Sequence, residues 1–324
     1  MQENEDRQPR NGAESLLTGL KQHGVDYLFA NAGTDFPPII EALCSLSADK
    51  IPTAITIPHE TASVAMAHGF FLVTGRAQAV MVHVNVGLAN AAMGVINAAS
   101  DNIPVLVMSG RTPITESGRR GSRMTPIQYG QEMYDQASLV SDTVKFHYEM
   151  RYPEQGEPLV SRALALASSS PEGPVYLSLP REALSADIEP GQATPATARP
   201  AASRAYPDPE MIAIAAQWLE NAKAPVLLVQ RGDPKGQLSQ ALQAFASTHA
   251  IPVAEPFSVR NVMPSSHDMF IGHDVKTALE GADVIVALDC DIPWIEAVHR
   301  PPPQTKIIHI GPDPHFARMP VRGY

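Results

Sequence analysis

The chain has 324 residues, of which 44% are apolar and 18% are charged, and its formal net charge is −10 at pH 7. This length is enough for two domains with their own cores, and the composition is that of a folded protein. The acidic excess disfavours nucleic acid or an anionic membrane as a partner. Cys44 and Cys290 are too few and too far apart for a disulfide framework or a zinc site, so we expect reduced thiols and a cytoplasmic protein.

Neither the first ten residues nor the longest apolar stretch suggests a membrane segment. The first ten residues, MQENEDRQPR, are polar and charged, unlike a secretory signal. The longest apolar stretch, residues 79–99, contains one His and three Asn and is interrupted by Gly87. A strand, a turn and a buried helix explain this stretch better than a membrane span.

Strands and helices alternate along the first part of the chain. From residue 60 the apolar residues follow a helical spacing, and Thr74-Gly75 is a typical end for that helix. The predicted elements are strands 25–30, 53–57, 79–84, 105–110 and 174–180 with helices 60–74, 88–99 and 158–169. Short apolar strands without alternation, separated by helices, predict a parallel sheet that is covered on both faces.

Residues 187–206 are rich in Ala, Pro, Thr and Ser and predict a linker between two domains, residues 1–186 and 207–324. The second domain repeats the alternation of the first. Its predicted elements are helices 209–221, 237–248 and 275–280 with strands 225–229, 251–254, 283–289 and 306–311. The fold class is therefore α/β, with two doubly wound parallel-sheet domains.

Ligands of open parallel sheets bind beyond the carboxyl ends of the strands. Small, polar or flexible residues follow four consecutive strands around one acid, Glu60: they are 31–35, 59–60, 85–87 and 109–111. An acid in the first turn of a helix also interacts favourably with the helix dipole, so Glu60 is either a helix-stabilising residue or a group held for chemistry. HETAS lacks the second His of H-E-x-x-H, and the sequence contains no G-x-S-x-G, phosphate-binding loop or G-x-G-x-x-G.

Several segments together resemble thiamine diphosphate enzymes of the acetolactate synthase, pyruvate decarboxylase and benzoylformate decarboxylase type. In the first domain they are GAESLLTGLKQHGVDYLFANAG, IPHETASVAMAHGF, VNVGLANAAMGVINAASDNIPVLVMSG, YGQEMYDQ and GPVYLSLP. These are similar to the pyrimidine-binding domain of that family. PVLLVQRGD, GADVIVALDCDIPWI and KIIHIGPDP are similar to its central domain.

The resemblance implies a role for Glu60 as the catalytic glutamate, which hydrogen-bonds to N1′ of the cofactor's aminopyrimidine and so promotes loss of the C2 proton. It also implies that Asn85, Val86, Gly87 and Asn90 bind the cofactor, because they fall where a family loop passes close to it. This sequence reads NVGLAN where the synthases have Gly-Pro-Gly-Ala-Thr-Asn, which puts a synthase assignment in question.

Other positions match substrate-side segments of the family, and each has a plain alternative. The resemblance places Asn31, Gly33, Thr34, Asp35 and Gln131 on the substrate side. Asp35 is either an acid–base group or the N-cap of the helix that FPPIIEAL predicts. His59 and His83 either support the site from behind or are ordinary polar histidines.

The family's third domain, which anchors the diphosphate through Mg²⁺ with a Gly-Asp-Gly segment, has no match in the sequence. We therefore expect an amino-terminal portion of a longer protein or one half of a split enzyme, with thiamine diphosphate and Mg²⁺ held mainly by the missing domain. Some relatives hold FAD or ADP in the central domain, but the absence of a glycine-rich fingerprint favours a structural role here.

In the family the active site lies between subunits, so we expect a homodimer, a homotetramer or a partner chain that carries the diphosphate-binding domain. The function implied is decarboxylation of a small-molecule 2-oxo acid, carboligation, or both, as in the acetolactate synthases. The alternative is a non-catalytic or regulatory subunit or binding module that keeps the fold.

Overall fold

A computed structural model describes residues 8–192 and 197–320, and these form two compact units that divide between Ser203 and Arg204. The division falls inside the segment for which the composition predicts a linker. Each unit is an α/β layer structure with one sheet.

The first unit contains six strands and seven α-helices among its described residues. Its strands are β1 (Tyr27–Ala30), β2 (Thr53–Thr56), β3 (Gln78–Val82), β4 (Val105–Arg111), β5 (His147–Glu149) and β6 (Val175–Pro180). Its helices are α1 (Gly12–Gln22), α2 (Pro37–Ser45), α3 (Glu60–Thr74), α4 (Val84–Ser100), α5 (Ile127–Gly130), α6 (Gly156–Ala167) and α7 (Arg181–Ser185).

The six strands form one parallel sheet in the order β2-β1-β3-β4-β6-β5. The two middle strands read QAVMV and VLVMSGR, and all of the first and all but the last residue of the second are buried. Such runs fit strands that are covered on both faces. One hydrophobic cluster packs α1, α2 and α6 against one face, and another packs α3 and α4 against the other.

The prediction of a parallel α/β sheet is confirmed, and most element boundaries agree to within two residues. Helix α3 begins at Glu60 and ends before Gly75, whose φ of 70° is the left-handed conformation that glycine adopts most readily. Strand β3 ends at Val82 rather than at residue 84, and α4 begins at Val84 rather than at residue 88. The prediction that Asn85, Val86 and Gly87 lie in a loop is therefore wrong, because all three lie in the first turn of α4.

The second unit contains a four-stranded parallel sheet in the order β10-β9-β7-β8. Its strands are β7 (Pro225–Val229), β8 (Val253–Ala254), β9 (Val284–Leu288) and β10 (Lys306–Ile310), and its helices are α8 (Pro209–Glu220), α9 (Gln237–His249) and α10 (Val275–Leu279). All seven elements lie where the sequence predicts them. Among the described helices of both units, none is long and apolar enough to cross a membrane.

Candidate active site

The first unit brings the carboxyl ends of β1, β2 and β3 together through Asn31. Its backbone N–H donates a hydrogen bond to Met81 O at 3.0 Å, and its side-chain Nδ2 donates to Ile57 O at 3.0 Å. One residue thus links the loop after β1 to the ends of both neighbouring strands. The segments that follow these strands lie at one edge of the sheet, as a parallel sheet requires.

Glu60 is the first residue of α3 and is buried, with 8% of its surface exposed. The preceding residue, His59, begins the helix, because its Nδ1 accepts a hydrogen bond from Thr61 N at 3.3 Å. Oε2 of Glu60 accepts a hydrogen bond of 3.2 Å from Asn90 Nδ2. Within the described chain Glu60 forms no ion pair, and its Oε1 accepts no hydrogen bond. A buried carboxylate with a free oxygen is available to a ligand.

Gly87 lies against Glu60 from the first turn of α4. A Cβ atom at position 87 would stand 3.4 Å from Glu60 Oε1 and 3.1 Å from Val82 Cβ, so the turn lies close to both the strand and the carboxylate. In the same turn Asn85 Oδ1 is buried without a hydrogen-bond partner, and Val86 is exposed. The structure therefore places Gly87 and Asn90 beside Glu60, in a helix and not in a loop, and Asn85 lies in the same helical turn as Gly87.

Asp35 and His83 form a second group at the same edge of the sheet. Asp35 is buried, and its Oδ1 lies 2.5 Å from His83 Nδ1. Its Oδ2 accepts a hydrogen bond from Val84 N at 3.1 Å. Asp35 is not the N-cap of α2, because that helix starts at Pro37 after Phe36 and has no side-chain cap.

Gly33 and Thr34 lie in the turn between β1 and α2. A Cβ atom on Gly33 would stand 2.2 Å from Cγ and Nδ1 of the His83 ring, so only glycine fits here without a shift. Thr34 is exposed. Of these two predicted substrate-side residues, Gly33 packs against the His83 ring. Thr34 precedes Asp35 in the sequence.

Gln131 ends helix α5, and its Oε1 is buried without a hydrogen-bond partner. The hydrogen bonds of the described residues do not join Gln131 to Glu60 or to Asp35. Its neighbour Glu132 instead belongs to a charged network that sequence reasoning missed. A carboxylate directly after Gln131 and an arginine at the end of β4 were the available signals.

In that network Arg111 donates hydrogen bonds to Glu132 Oε1 at 3.0 Å and to Glu149 Oε2 at 2.5 Å. Glu132 Oε2 accepts from Thr112 Oγ1 at 2.7 Å and pairs with Arg123. Burial alone would raise the pKa of the Glu132 carboxyl, but the hydrogen bonds from Thr112 and Arg111 outweigh it and lower that pKa. These charge-assisted hydrogen bonds hold the long loop between β4 and α5 in place.

The residues around Glu60 fit the aminopyrimidine of thiamine diphosphate, a planar ring that carries hydrogen-bond donors and acceptors. Glu60 offers a free Oε1, Asn90 holds the other carboxylate oxygen, and Gly87 allows close approach. In residues 8–192 and 197–320 no group of three or more His, Cys, Asp or Glu is placed to hold a metal ion. The residues beside Glu60 therefore fit the ring of the cofactor.

In the second unit, the residues that follow β7 and β9 form a buried ion-pair group. At the carboxyl ends of β7 and β9 the buried Arg231 pairs with Asp289 at 3.2 Å and with Asp291. Burial raises the pKa of the Asp289 carboxyl, although the charge of Arg231 opposes this. Gly232 is covered by Val262, whose Cγ2 lies 2.8 Å from the position of a Cβ on that glycine. Arg231 is thus paired with two carboxylates.

Comparison with known proteins identifies the family of both units. Residues 10–139 match the family model of the thiamine pyrophosphate enzyme N-terminal TPP binding domain, and residues 212–321 match that of the central domain. The chain belongs to the thiamine pyrophosphate enzymes. Glu60, Asp35, His83 and Asn90 all fall within the first matched range.

The relatives of this thiamine pyrophosphate enzyme chain include synthases. It is 25% identical over 328 residues to the acetolactate synthase large subunit of Haemophilus influenzae, covering 94% of this chain and 53% of that protein. It is 25% identical over 324 residues to a probable acetolactate synthase large subunit of Methanocaldococcus jannaschii, covering 94% of this chain and 51% of that protein. The chain thus spans about half the length of the curated relatives it matches.

Solved structures of similar fold include two decarboxylases. The thiamine diphosphate-dependent 4-hydroxybenzoylformate decarboxylase of Rhodococcus jostii matches with a TM-score of 0.76 and 25% identity, over 96% of this chain and 59% of that one. The benzoylformate decarboxylase of Polynucleobacter necessarius matches with a TM-score of 0.77 and 23% identity, over 97% of this chain and 58% of that one. The fold of both domains is therefore that of thiamine pyrophosphate enzymes.

Proposed function

We propose that this chain supplies the pyrimidine-facing part of the active site of a thiamine diphosphate-dependent enzyme that acts on a 2-oxo acid by decarboxylation, carboligation or both. The observation that carries the proposal is the state of Glu60. It is buried at the start of α3, has no cationic partner among the described residues, and keeps one carboxylate oxygen free. A carboxylate that served only the helix dipole would gain nothing from this burial.

Bound thiamine diphosphate supplies the carbanion-stabilising chemistry of such a reaction. Glu60 holds or shares a proton at a nitrogen of the pyrimidine ring, and Asn90 orients its carboxylate. Gly87 leaves room for the ring, while Asn85, Val86 and Asn90 line its surroundings. Asn31, Gly33, Thr34, Asp35 and Gln131 are the substrate-side residues of the proposal.

The proposal includes a partner for this site, because the described residues hold no ligand set for Mg²⁺. A second copy of the longer protein or a separate chain brings the diphosphate-binding domain. Helices α3 and α4 support such an assembly, since they expose large apolar side chains: Met66, Val73, Met93 and Ile96. We place the enzyme in the cytoplasm, in agreement with an exposed, unpaired Cys44.

The test is a comparison of Glu60→Gln with the unaltered chain, each assayed for release of CO₂ from 2-oxo acids with thiamine diphosphate, Mg²⁺ and the diphosphate-binding domain present. We expect turnover to fall by about 10²–10⁴-fold, the usual contribution of a positioned proton-transfer group. Glu210→Gln is the matched control, because Glu210 lies in the first turn of α8 and is exposed. Equal turnover by Glu60→Gln and the unaltered protein would contradict the proposal.

The second candidate is a non-catalytic or regulatory subunit, which the absence of metal ligands among the described residues favours. The two candidates predict different companion domains for this chain. A reading frame that encodes a Gly-Asp-Gly domain, either continuous with codon 324 or co-expressed with this one, supports the enzyme. Purification of a stable complex without such a domain supports the regulatory role.

A further inference from the structure

Three polar side chains meet inside the first unit, where β4 and β6 lie side by side. Ser109 of β4 and Tyr176 of β6 are fully buried, and their hydroxyl oxygens lie 2.8 Å apart. Gln136, which is 3% exposed, begins the short 3₁₀ helix Gln136–Leu139. Its Nε2 donates hydrogen bonds to Ser109 Oγ at 2.8 Å and to Tyr176 Oη at 3.1 Å. The loop that leaves the sheet at the end of β4 is thus tied back to the sheet by Gln136.

The surroundings of this polar group are apolar. Tyr176 belongs to the hydrophobic cluster that contains Val80, Leu88 and Val107. Burial raises the pKa of the Tyr176 hydroxyl, so this hydroxyl acts as a neutral hydrogen-bonding group. Burying polar side chains costs free energy even when they pair, and apolar side chains of similar size would avoid that cost. Stability alone therefore does not account for a glutamine at position 136.

Gln136 also holds the backbone at the end of β4. Its Nε2 donates a further hydrogen bond of 2.8 Å to Gly110 O, so the two amide hydrogens are shared among three acceptors. The ladder between β3 and β4 ends with the pair Val82 and Ser109, and Gly110 lies one residue beyond it. Gln136 therefore supports the part of β4 that β3 no longer pairs with.

Gly110 is in direct contact with the carboxylate of Asp35. A Cβ atom at position 110 would stand 1.7 Å from Asp35 Oδ2 and 2.4 Å from its Cγ, so only glycine lets the strand come this close. Asp35 is 1% exposed, and the same Oδ2 accepts the hydrogen bond from Val84 N at 3.1 Å. In such close packing a shift of Gly110 is felt by the carboxylate and by the Val84 amide.

We propose that Gln136 is a positioning residue that holds Gly110 against the Asp35 carboxylate and so fixes the place of this carboxylate at the edge of the site. Ser109 and Tyr176 orient the Gln136 amide for this task. Gln136 acts through Gly110 and itself touches no substrate. The inference rests on the proposed function only for its effect on turnover.

The first test needs no activity. Hydrogen exchange of the Val84 amide, followed by NMR in the full chain, reports on Asp35 because this N–H donates to Asp35 Oδ2. Gln136→Met keeps an unbranched side chain of similar size and removes the amide that holds Gly110. We expect the Val84 amide to exchange roughly tenfold faster in this variant, since a weakened hydrogen bond makes local opening easier. Unchanged exchange at Val84 would overturn the proposal.

Gln78→Met is the matched control. Gln78 is fully buried in the same sheet, but at the amino-terminal end of β3, where its Oε1 accepts hydrogen bonds from Asp26 N and Tyr27 N. Both variants should be less stable than the unaltered chain, but only Gln136→Met should speed exchange at Val84. Equal acceleration in both would overturn the proposal, because general loss of stability would then explain it.

A second variant covers the case in which Gln136→Met does not fold. Gln136→Asn keeps an amide in this polar group, but its side chain is shorter by one methylene and no longer reaches Gly110 O. We expect faster exchange at Val84 here as well. Exchange as slow as in the unaltered chain would show that the bond to Gly110 does not hold Asp35, and the proposal would fall.

The third test is kinetic and uses the holoenzyme. We expect Gln136→Met to lower kcat about tenfold with little change in KM, because a displaced group costs rate more than binding, and Gln78→Met to leave both unchanged. Faster exchange at Val84 in a holoenzyme that turns over no 2-oxo acid would disprove the proposed function and leave the role of Gln136 intact. Turnover that depends on Glu60 but not on Gln136 would disprove the inference alone.

Discussion

Asn90 fastens the start of helix α3 to helix α4 at two points. Its Nδ2 donates a hydrogen bond of 3.2 Å to Glu60 Oε2, and its carbonyl oxygen accepts one of 2.6 Å from Thr61 Oγ1. The position of the Glu60 carboxylate is therefore set by a residue 30 positions later in the sequence. A side chain that would otherwise have several rotamers is held in one place by a neighbouring helix.

Replacing Asn90 should leave the Glu60 carboxylate less firmly held. We expect Asn90→Ala to lower the free energy of unfolding by about 1–2 kcal/mol, since a hydrogen bond to a charged group is lost. Turnover of the holoenzyme should also fall. Urea denaturation measures the first effect, and Asn97→Ala on the same helix is the control, because Asn97 is exposed. Equal stability of the two variants would mean that the bond to Glu60 contributes nothing.

Two helical glycines should respond in opposite ways to the same substitution. A Cβ on Gly69 would meet no atom within 4 Å, whereas a Cβ on Gly87 would press on Val82 and approach Glu60. We expect Gly69→Ala to stabilise the protein by about 0.5–1 kcal/mol, since alanine favours a helix over glycine. Gly87→Ala should lack this gain and lower turnover. Thermal unfolding and steady-state kinetics give both results, and an equal gain at both positions would contradict the close approach.

The two cysteines should differ strongly in reactivity. Burial raises the pKa of the Cys290 thiol to about 12, with a further contribution from the charge of Asp291, whereas Cys44 is exposed. The thiolate is the reactive form, so a disulfide reagent should modify one thiol in the native protein and two in urea. Cys44→Ser should have no fast-reacting thiol. Fast labelling of Cys290 in the folded chain would show that its surroundings are open.

The free energy of unfolding should fall in acid as the Glu132 carboxylate is protonated. Its pKa in the folded protein lies below the ordinary value of 4.5 because its hydrogen bonds outweigh burial. The stabilisation is therefore fully present above that ordinary value and is lost as the pH falls through the lower, folded value. We expect Glu132→Gln to lower the free energy of unfolding by about 1–2 kcal/mol at pH 7 and by much less in strong acid.

Urea denaturation at several pH values measures this difference. Glu116→Gln is the control, because Glu116 is exposed in the same loop and should show no such dependence. A constant difference between Glu132→Gln and the unaltered chain across the whole range would contradict the assignment.

Most of the sheet could be predicted from local sequence. The buried middle strands are apolar runs of the expected length, and the helix that starts at Glu60 has both its apolar spacing and its terminal Gly75 in the sequence. Strand β5 could not be found in this way. It has only three residues, HYE, none of them fully buried, and it exists because β6 offers it a free edge.

The start of α4 and the Asp35–His83 pair escaped prediction for one physical reason. AVMVHV reads as a continuing strand, but Asp35 binds Val84 N from 49 residues away and begins the helix there. The Arg111–Glu132 and Arg111–Glu149 pairs likewise join distant segments. Patterns within a window of sequence carry no information on such contacts. The order of the strand ends, in contrast, predicts that Asp35 and Glu60 lie at one edge of the sheet.

The strand order of the first unit has a wider consequence. From β1 the chain crosses to one side to form β2 and then returns to the other side to form β3, so the connections leave β1 and β3 in opposite directions. A cleft opens between those two strands through topology alone, whatever side chains line it. Asp35 follows one of these strands and His83 the other, so exchanging a few residues at this divide could alter the chemistry while the scaffold stays unchanged.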